Sequence, residues 1–229
     1  MRLSGKPTIK LLLLLGALLI LLTPLTQSPA QTQEEEVGEL SIAARPATIT
    51  YGKSTSISGQ LTKFTRKNNV PVLLESRVAP FEGKFEVLQT DMTRRKGTYT
   101  FRVKARATAR YRVLAPLAKA MTKSKTVEVR TRVALRIADD TPTAGSLVEF
   151  SGTVAPDHDE QLVYIQRRLE SGRWRTVGTT SLVDAGTELS EFTRKIRVKS
   201  DGVYRARFIH PSDHAPGTSP SKAVEVVGR

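Results

Sequence analysis

Apolar and polar residues alternate in short runs along most of the chain. In the stretch TFRVKARATARYRV, residues 100–113, Phe101 and Val103 alternate with Arg102 and Lys104. A period of two is typical of a strand with one buried and one solvated face, whereas a helix would mix the two sets. The pattern therefore predicts strands whose outer faces carry cations.

Fourteen such runs are separated by Gly, Pro, Asn, Asp or Ser, and no stretch has a helical period. The first seven lie near residues 39–50, 54–62, 71–77, 85–91, 98–106, 110–115 and 123–131. The other seven lie near residues 132–144, 147–154, 162–168, 174–181, 188–198, 203–209 and 221–227. The predicted fold class is therefore all-β, with the strand density of a sandwich.

The two sets of runs repeat one sequence pattern. Matching residues recur in the same order: Gly52 with Gly145, Ser58-Gly59 with Ser151-Gly152, Gly83-Lys84-Phe85 with Gly172-Arg173-Trp174, Tyr111-Arg112 with Tyr204-Arg205, and SKTVEV with SKAVEV. A repeat of about 95 residues is too long for a solenoid and fits two whole domains in tandem. We expect a first domain at residues 39–131 and a second at residues 132–229.

These segments resemble immunoglobulin-like domains that occur in tandem on exported and cell-surface proteins of bacteria. The segments that carry the resemblance are YGKSTSISG, VYIQRR, GRWRTV, GTYTF, VYRARF and SKAVEV. The resemblance implies two immunoglobulin-like β-sandwich domains. The chain lacks the hallmarks of antibody domains, because it has no cysteine and its one tryptophan, Trp174, follows the third run of the second domain.

The N-terminus has the pattern of a secretory signal peptide over residues 1–30. Three cations precede an apolar segment at residues 11–22, and small residues follow at the spacing a signal peptidase accepts. An uncleaved membrane anchor is the alternative, although Pro24 interrupts the segment before about 20 apolar residues are reached. Residues 31–38, QTQEEEVG, predict a flexible acidic leader. The expected location is extracellular or in the cell envelope, without a transmembrane anchor in the mature chain.

Positive charge is concentrated in the first repeat. The formal net charge of the chain is +14; residues 39–131 hold 19 Lys and Arg against 6 Asp and Glu, whereas residues 132–229 hold 14 against 13. Such asymmetry predicts that the first domain attracts anionic envelope or extracellular polymers. The candidate polyanion-binding residues are Arg94, Arg95, Lys96, Arg102, Lys104, Arg106, Arg110 and Arg112. A purely solubilising role for exposed strand cations is the alternative.

The fold also predicts how these cations are arranged. In an immunoglobulin-like sandwich the fifth and sixth strands belong to different sheets. We therefore expect the cations to form a band around the first domain and not one flat patch. Such a band favours diffuse electrostatic attraction over a shaped pocket.

No catalytic motif is present in the sequence. The three histidines fall in predicted loops of the second domain, and the chain has no Gly-x-Ser-x-Gly elbow and no glycine-rich phosphate loop. The sequence therefore predicts a non-enzymatic protein without a cofactor. Sequence-specific recognition of nucleic acid is not expected, since no helix is predicted that would enter a groove.

Two loops of the second domain carry candidate metal ligands. The loops that follow the second and sixth strands are expected at the same end of the sandwich, facing the first domain. The candidate ligands are Asp157, Asp159, Glu160, His210, Asp213 and His214, and His158 lies among them. Carboxylates would suit calcium and imidazoles a transition metal, either of which would stiffen the hinge between the domains. A chance gathering of polar loop residues is the alternative.

These features predict an exported binding or structural module that adheres to anionic envelope or matrix polymers through its basic first domain. The alternative is a spacer or protein-interaction module that docks another exported protein through sheet edges or loops. Phe85 and Trp174 occupy matched positions at strand starts, so a shared packing role is expected in preference to sugar stacking.

Overall fold

A computed structural model describes residues 36–186, 188–209 and 213–228 of the chain. The predicted signal peptide and most of the predicted leader lie outside the described residues. The described part is built of strands, with two short 3-10 helices at Arg95–Gly97 and Pro116–Ala118. It contains no helix long and apolar enough to cross a membrane.

Ten strands form the first half, residues 36–131. They are Glu39–Leu40 (β1), Ala43–Arg45 (β2), Thr48–Thr50 (β3), Thr55–Thr62 (β4), Pro71–Val78 (β5), Glu86–Met92 (β6), Thr98–Val103 (β7), Ala109–Ala115 (β8), Ala120–Met121 (β9) and Lys125–Arg130 (β10). In one sheet β1, β2 and β7 pair with β4; the other has the order β3-β10-β8-β5-β6, with β9 beside β8. All these pairs are antiparallel except β3 with β10.

Ten further strands form the second half, residues 132–228. They are Arg132–Val133 (β11), Arg136–Ile137 (β12), Ser146–Ala155 (β13), Leu162–Arg168 (β14), Trp174–Ser181 (β15), Val183–Asp184 (β16), Ser190–Val198 (β17), Gly202–Phe208 (β18), Gly217–Thr218 (β19) and Lys222–Val224 (β20). One sheet has the order β11-β13-β17-β16, with β12 beside β13. The other has the order β15-β14-β18-β19, with β20 beside β18.

Each half buries its own hydrophobic cluster. In β7, Tyr99, Phe101 and Val103 are buried, whereas Thr100 and Arg102 between them are exposed. The first cluster draws its residues from positions 49–129 and the second from positions 133–224. Alternating strands that close over apolar clusters confirm the predicted all-β sandwich class.

The predicted first run, residues 39–50, is divided in the structure into three short strands. Pro46 lies between β2 and β3, and proline cannot donate a ladder hydrogen bond. After it, the chain leaves β4 and pairs in parallel with β10, with Ile49 opposite Val129. The predicted first run therefore contributes to both sheets, with β1 and β2 beside β4 and β3 beside β10.

The end of the predicted acidic leader contacts the first half. Glu36 accepts hydrogen bonds from the backbone N–H and the hydroxyl of Thr65. The N–H of Gly38 donates to the carbonyl of Ala118 at 2.8 Å. These last leader residues are thus held against the sheets.

Backbone hydrogen bonds join the two halves. Thr108 donates to the carbonyl of Asp213 at 2.8 Å. Ala215 donates to the carbonyl of Val129 at 2.8 Å and accepts from Thr131 at 3.1 Å. One segment of the second half therefore docks directly onto the first half.

Candidate functional site

The exposed face of β7 presents cations to solvent. Arg102 points outward between the buried Phe101 and Val103, and the alternation continues past the end of the strand, with Lys104 exposed and Ala105 buried. The packing of the apolar residues fixes the outward direction of the cations. A row of positive charge follows this strand.

The cations of β8 lie in the other sheet of the first half. Arg110 and Arg112 are half-buried and alternate with the buried Ala109, Tyr111 and Val113. Because β7 pairs with β4 while β8 pairs with β5 and β10, the two cationic rows lie on different sheets. The structure thus places the candidate residues around this half and not in one pocket.

A fixed turn carries three further cations between β6 and β7. The side chain of Gln60 donates to the carbonyl of Lys96 at 2.8 Å, and the N–H of Arg94 donates to the carbonyl of Thr98 at 2.7 Å. Gly97 has φ +80°, and a Cβ there would overlap the carbonyl of Leu61. The backbone is therefore held while the side chains of the turn remain exposed.

Half of the eight candidate cations have a partner within the protein. The contacts are Arg94 with Asp91 at 3.9 Å, Arg106 with Glu188 at 2.8 Å, Arg112 with Glu75 at 2.6 Å, and Arg110 over the ring of Phe81 at 4.2 Å. Within the described residues, Arg95, Lys96, Arg102 and Lys104 form neither an ion pair within 4.0 Å nor a stack on an aromatic ring. We refer to these four as the unpaired cations.

Arg106 takes part in the junction between the halves. Its guanidinium donates to Glu188, whose second carboxylate oxygen accepts from the hydroxyl of Tyr51 at 2.9 Å. Burial and the hydrogen bond to Glu188 raise the pKa of Tyr51 above its ordinary value. The charge of Arg106 is therefore balanced by a carboxylate of the second half.

Arg112 belongs to a packed unit on the outer face of its sheet. Its Nε donates to Glu75, which lies opposite it in the β5–β8 register, and its guanidinium covers the ring of Phe85 at 4.2 Å. The exposed fractions of the Arg112 and Glu75 side chains are only 28% and 12%. The side chain of Arg112 is thus committed to packing.

The second half has a similar packed unit, in which a glutamine takes the place of the glutamate and a tryptophan that of the phenylalanine. Arg205 donates to Gln166 at 2.9 Å and covers the ring of Trp174 at 4.0 Å. Burial, followed by the charge of Arg207, lowers the pKa of Arg205. An arginine therefore covers the matched aromatic of each half, Phe85 and Trp174, which confirms their shared packing role.

We predict that Arg112→Gln lowers the free energy of unfolding by about 1–2 kcal/mol. The change removes a charge-assisted hydrogen bond and a cation–π contact that are partly shielded from water. Arg102→Gln, with the same charge change at an exposed position, should cost less than about 0.5 kcal/mol. Urea unfolding followed by circular dichroism compares the two variants. Equal losses of unfolding free energy would show that the contacts of Arg112 with Glu75 and Phe85 add no stability.

The structure brings two of the candidate metal ligands, Asp213 and His214, together with His158 at the junction. One ligand atom from each of His158, Asp213 and His214 lies within 4.8 Å of the others. Asp157, Asp159 and Glu160 are not part of this group, and His210 lies outside the described residues. We refer to the three residues as the histidine cluster.

Asp157 and Asp159 instead surround the hydroxyl of Ser190. Each has a carboxylate oxygen 2.7 Å from this hydroxyl, which also accepts from the backbone N–H of His158. The Ser190 hydrogen bond lowers the pKa of Asp157. It also lowers that of Asp159, but desolvation and the charges of Asp157 and Asp184 outweigh it, so the pKa of Asp159 is raised.

Ser190 is not arranged as a nucleophile. It is fully buried, and the group of His158 that reaches it is the backbone N–H and not the imidazole. The ring nitrogen Nδ1 of His158 lies 2.7 Å from the carbonyl of Pro156. The pairing of hydroxyl and base that nucleophilic catalysis requires is therefore not formed between these two residues.

Both histidines of the cluster are held by backbone carbonyls. His214 Nε2 lies 2.7 Å from the carbonyl of Arg106, and its Nδ1 lies 2.8 Å from a carboxylate oxygen of Asp213. Its ring also contacts those of His158 and Tyr51, with centroids 5.4 and 6.0 Å away. The cluster is thus a defined arrangement across the junction.

Comparison with known proteins finds similarity among solved structures. No protein-family model and no curated protein matches the chain. The chain is similar to a solved structure described as the tetra-tandem repeat in the extending region of a large adhesion protein, with 14% identity and a TM-score of 0.33. The match covers 84% of this chain and 49% of the other, so this chain spans about half of that structure's length. The similarity is too low to assign a function.

No direct signal in the sequence identifies the partners that complete these sites. His158 was expected only as a neighbour of the metal ligands, although it lies in the cluster. Glu75 and Glu188 were not expected as partners of Arg112 and Arg106. The outer-face position of Glu75 in β5 was a usable signal for the first pair, whereas Glu188 lies in a loop.

Proposed function

We propose that this protein is an exported, non-enzymatic binding module of two immunoglobulin-like domains, residues 39–131 and 132–229. In this proposal the first domain binds anionic polymers of the cell envelope or surrounding matrix. The observation that carries the proposal is the set of four unpaired cations on the half that holds 19 Lys and Arg against 6 Asp and Glu.

The layout of the unpaired cations suits a long polyanion better than a small anion. Arg95 and Lys96 lie in the turn before β7, Arg102 lies near the end of that strand, and Lys104 lies beyond it. A strand rises about 3.3 Å per residue, so the set extends over roughly 20 Å along β7. A linear polymer with regularly spaced negative charges would contact all four, whereas a single phosphate would not.

The same charges make binding sensitive to salt. Exposed charges are screened beyond about 8 Å at physiological ionic strength. The proposal therefore requires an affinity that falls steadily as salt is added. Cations already paired with Glu75 or Glu188 should contribute less, since a neighbouring carboxylate cancels much of their field.

We predict that replacing Arg95, Lys96, Arg102 and Lys104 together with serine weakens binding to heparin by roughly tenfold to a hundredfold at 0.15 M salt. Heparin serves as the probe because it is a linear polyanion. The matched control replaces Arg173, Arg194, Lys195 and Lys199 of the second half, two arginines and two lysines that are also exposed. The measurement is affinity as a function of salt concentration.

The control separates a localised surface from net charge. Both variants lose four positive charges, so the proposal requires a large loss in the first and a small loss in the second. Equal losses would mean that total charge alone attracts the polymer. No loss in the first variant would contradict the proposal.

An exposed sheet edge favours a second candidate, a module that docks another exported protein. β6 forms the edge of its sheet, and Val87, Leu88 and Met92 on it are 56%, 46% and 47% exposed. An edge strand of this kind offers unpaired backbone groups to a partner strand. Capture of an envelope protein that persists at high salt would favour this function, since apolar and backbone contacts are screened far less than charges.

A further inference from the structure

We propose that His158, Asp213 and His214 bind one divalent transition-metal ion, with zinc as its representative, where the second half docks onto the first. Two imidazoles and a carboxylate are ligands that zinc uses in proteins. The site is separate from the unpaired cations and does not depend on binding to polyanions. The hydrogen bonds that hold the two imidazole rings support this assignment.

The hydrogen bonds of His214 orient one nitrogen for a cation. A carbonyl oxygen only accepts, so the ring nitrogen Nε2, 2.7 Å from the carbonyl of Arg106, carries the hydrogen. In the neutral ring, Nδ1 then has a lone pair that faces a carboxylate oxygen of Asp213 at 2.8 Å. A lone pair that faces a carboxylate is stabilised by a proton or by a metal cation between the two groups.

A hydrogen bond to a backbone carbonyl also fixes the tautomer of His158. Its Nδ1 lies 2.7 Å from the carbonyl of Pro156 and therefore carries the hydrogen, which leaves the lone pair of the neutral ring on Nε2. Histidine ligands of metals usually donate their other ring N–H to a backbone carbonyl or a carboxylate, which fixes the tautomer. Both histidines of the cluster have this support from a backbone carbonyl.

The spacing and burial of the cluster also fit a metal site. One ligand atom from each of the three residues lies within 4.8 Å of the others, and tetrahedral zinc bonds of about 2.1 Å bring ligand atoms to roughly 3.4 Å from one another. Small side-chain rotations close that difference. The His214 side chain is only 3% exposed whereas that of Asp213 is 40% exposed, so the imidazole is shielded while solvent reaches the carboxylate.

The position of the site gives the ion a mechanical role. Asp213 and Ala215 hold the first half through backbone hydrogen bonds to Thr108, Val129 and Thr131. An ion shared by His158, Asp213 and His214 would tie this docked segment to the loop that precedes β14. Metal binding would therefore stiffen the junction between the halves.

The test is titration of the purified full chain, stripped with a chelator, with zinc alone. We expect one ion per chain with a dissociation constant below about 10 μM, and a Tm rise of about 5 °C at a hundredfold excess over that constant. Cobalt should give the absorption bands of a tetrahedral site. Calcium, which prefers oxygen ligands, should produce no comparable shift.

Two variants remove ligands by different routes. His158→Phe keeps a ring against Phe208, and Asp213→Asn keeps a polar side chain beside His214. Each should weaken zinc binding at least tenfold, whereas Asp140→Asn, at an exposed aspartate outside the cluster, should not. Circular dichroism of the metal-free variants verifies folding. Absence of one-to-one zinc binding, unchanged affinity in both variants, or a response to calcium alone would each overturn the proposal.

Discussion

Gly152→Ala is expected to lower the free energy of unfolding by about 3 kcal/mol or more. Gly152 lies in β13 directly opposite Phe192 of β17. A Cβ at this position would overlap the backbone carbonyl of Ala134 and the ring of Phe192. A backbone atom cannot move aside as a flexible side chain does, so the strands would have to separate. Guanidinium unfolding followed by the fluorescence of Trp174 measures the loss.

Gly145→Ala provides the matched control in the same half. Gly145 has φ +84° with no atom within 4 Å of an added Cβ, so alanine there costs only the left-handed backbone strain, about 1–2 kcal/mol. We therefore expect Gly152→Ala to lower the free energy of unfolding more than Gly145→Ala does. Equal losses of unfolding free energy in the two variants would show that β13 does not approach Ala134 and Phe192 as closely as the structure indicates.

Phe150→Ala should lower the free energy of unfolding by about 3–5 kcal/mol. The ring of Phe150 is fully buried and packs against that of Tyr204 with centroids 5.0 Å apart, so truncation leaves a cavity between the two sheets. Guanidinium unfolding followed by the fluorescence of Trp174 measures this loss as well. A buried aromatic of this size contributes both transfer free energy and packing contacts.

Leu147→Ala tests the alternation from the opposite face of the same strand. Leu147 is 58% exposed, three positions before Phe150 in β13. Its truncation should change stability by less than about 0.5 kcal/mol. A loss at Leu147 as large as that at Phe150 would mean that the strand presents the wrong face to the core.

The strands were largely predictable because burial leaves a period of two in the sequence. In the sequence, Phe101 and Arg102 already distinguish the buried face of β7 from its exposed face. Gly59 and Gly152 occupy matched positions in the two repeats. Each of these glycines lies opposite an aromatic residue, Tyr99 or Phe192, a pairing that depends on register. Where the first run crosses from one sheet to the other was not predictable, since proline indicates a break but not the next partner.

The candidate sites were less predictable because they depend on contacts between distant segments. The sequence shows that Arg112 points outward, but not that the β5–β8 register places Glu75 opposite it. It shows His158 and His214 in two loops, but not which side chains converge. Asp157 and Asp159 turn to Ser190, which lies more than 30 residues away, and no local pattern encodes that choice.

In the proposed function, the unpaired cations of the first half form a surface for polyanions. Amide NMR spectra of the protein titrated with a heparin oligosaccharide locate this surface residue by residue. The account predicts that the largest salt-sensitive shifts fall within residues 94–106 and that residues 132–228 change little. Shifts centred on the second half, or none below 0.15 M salt, would contradict it.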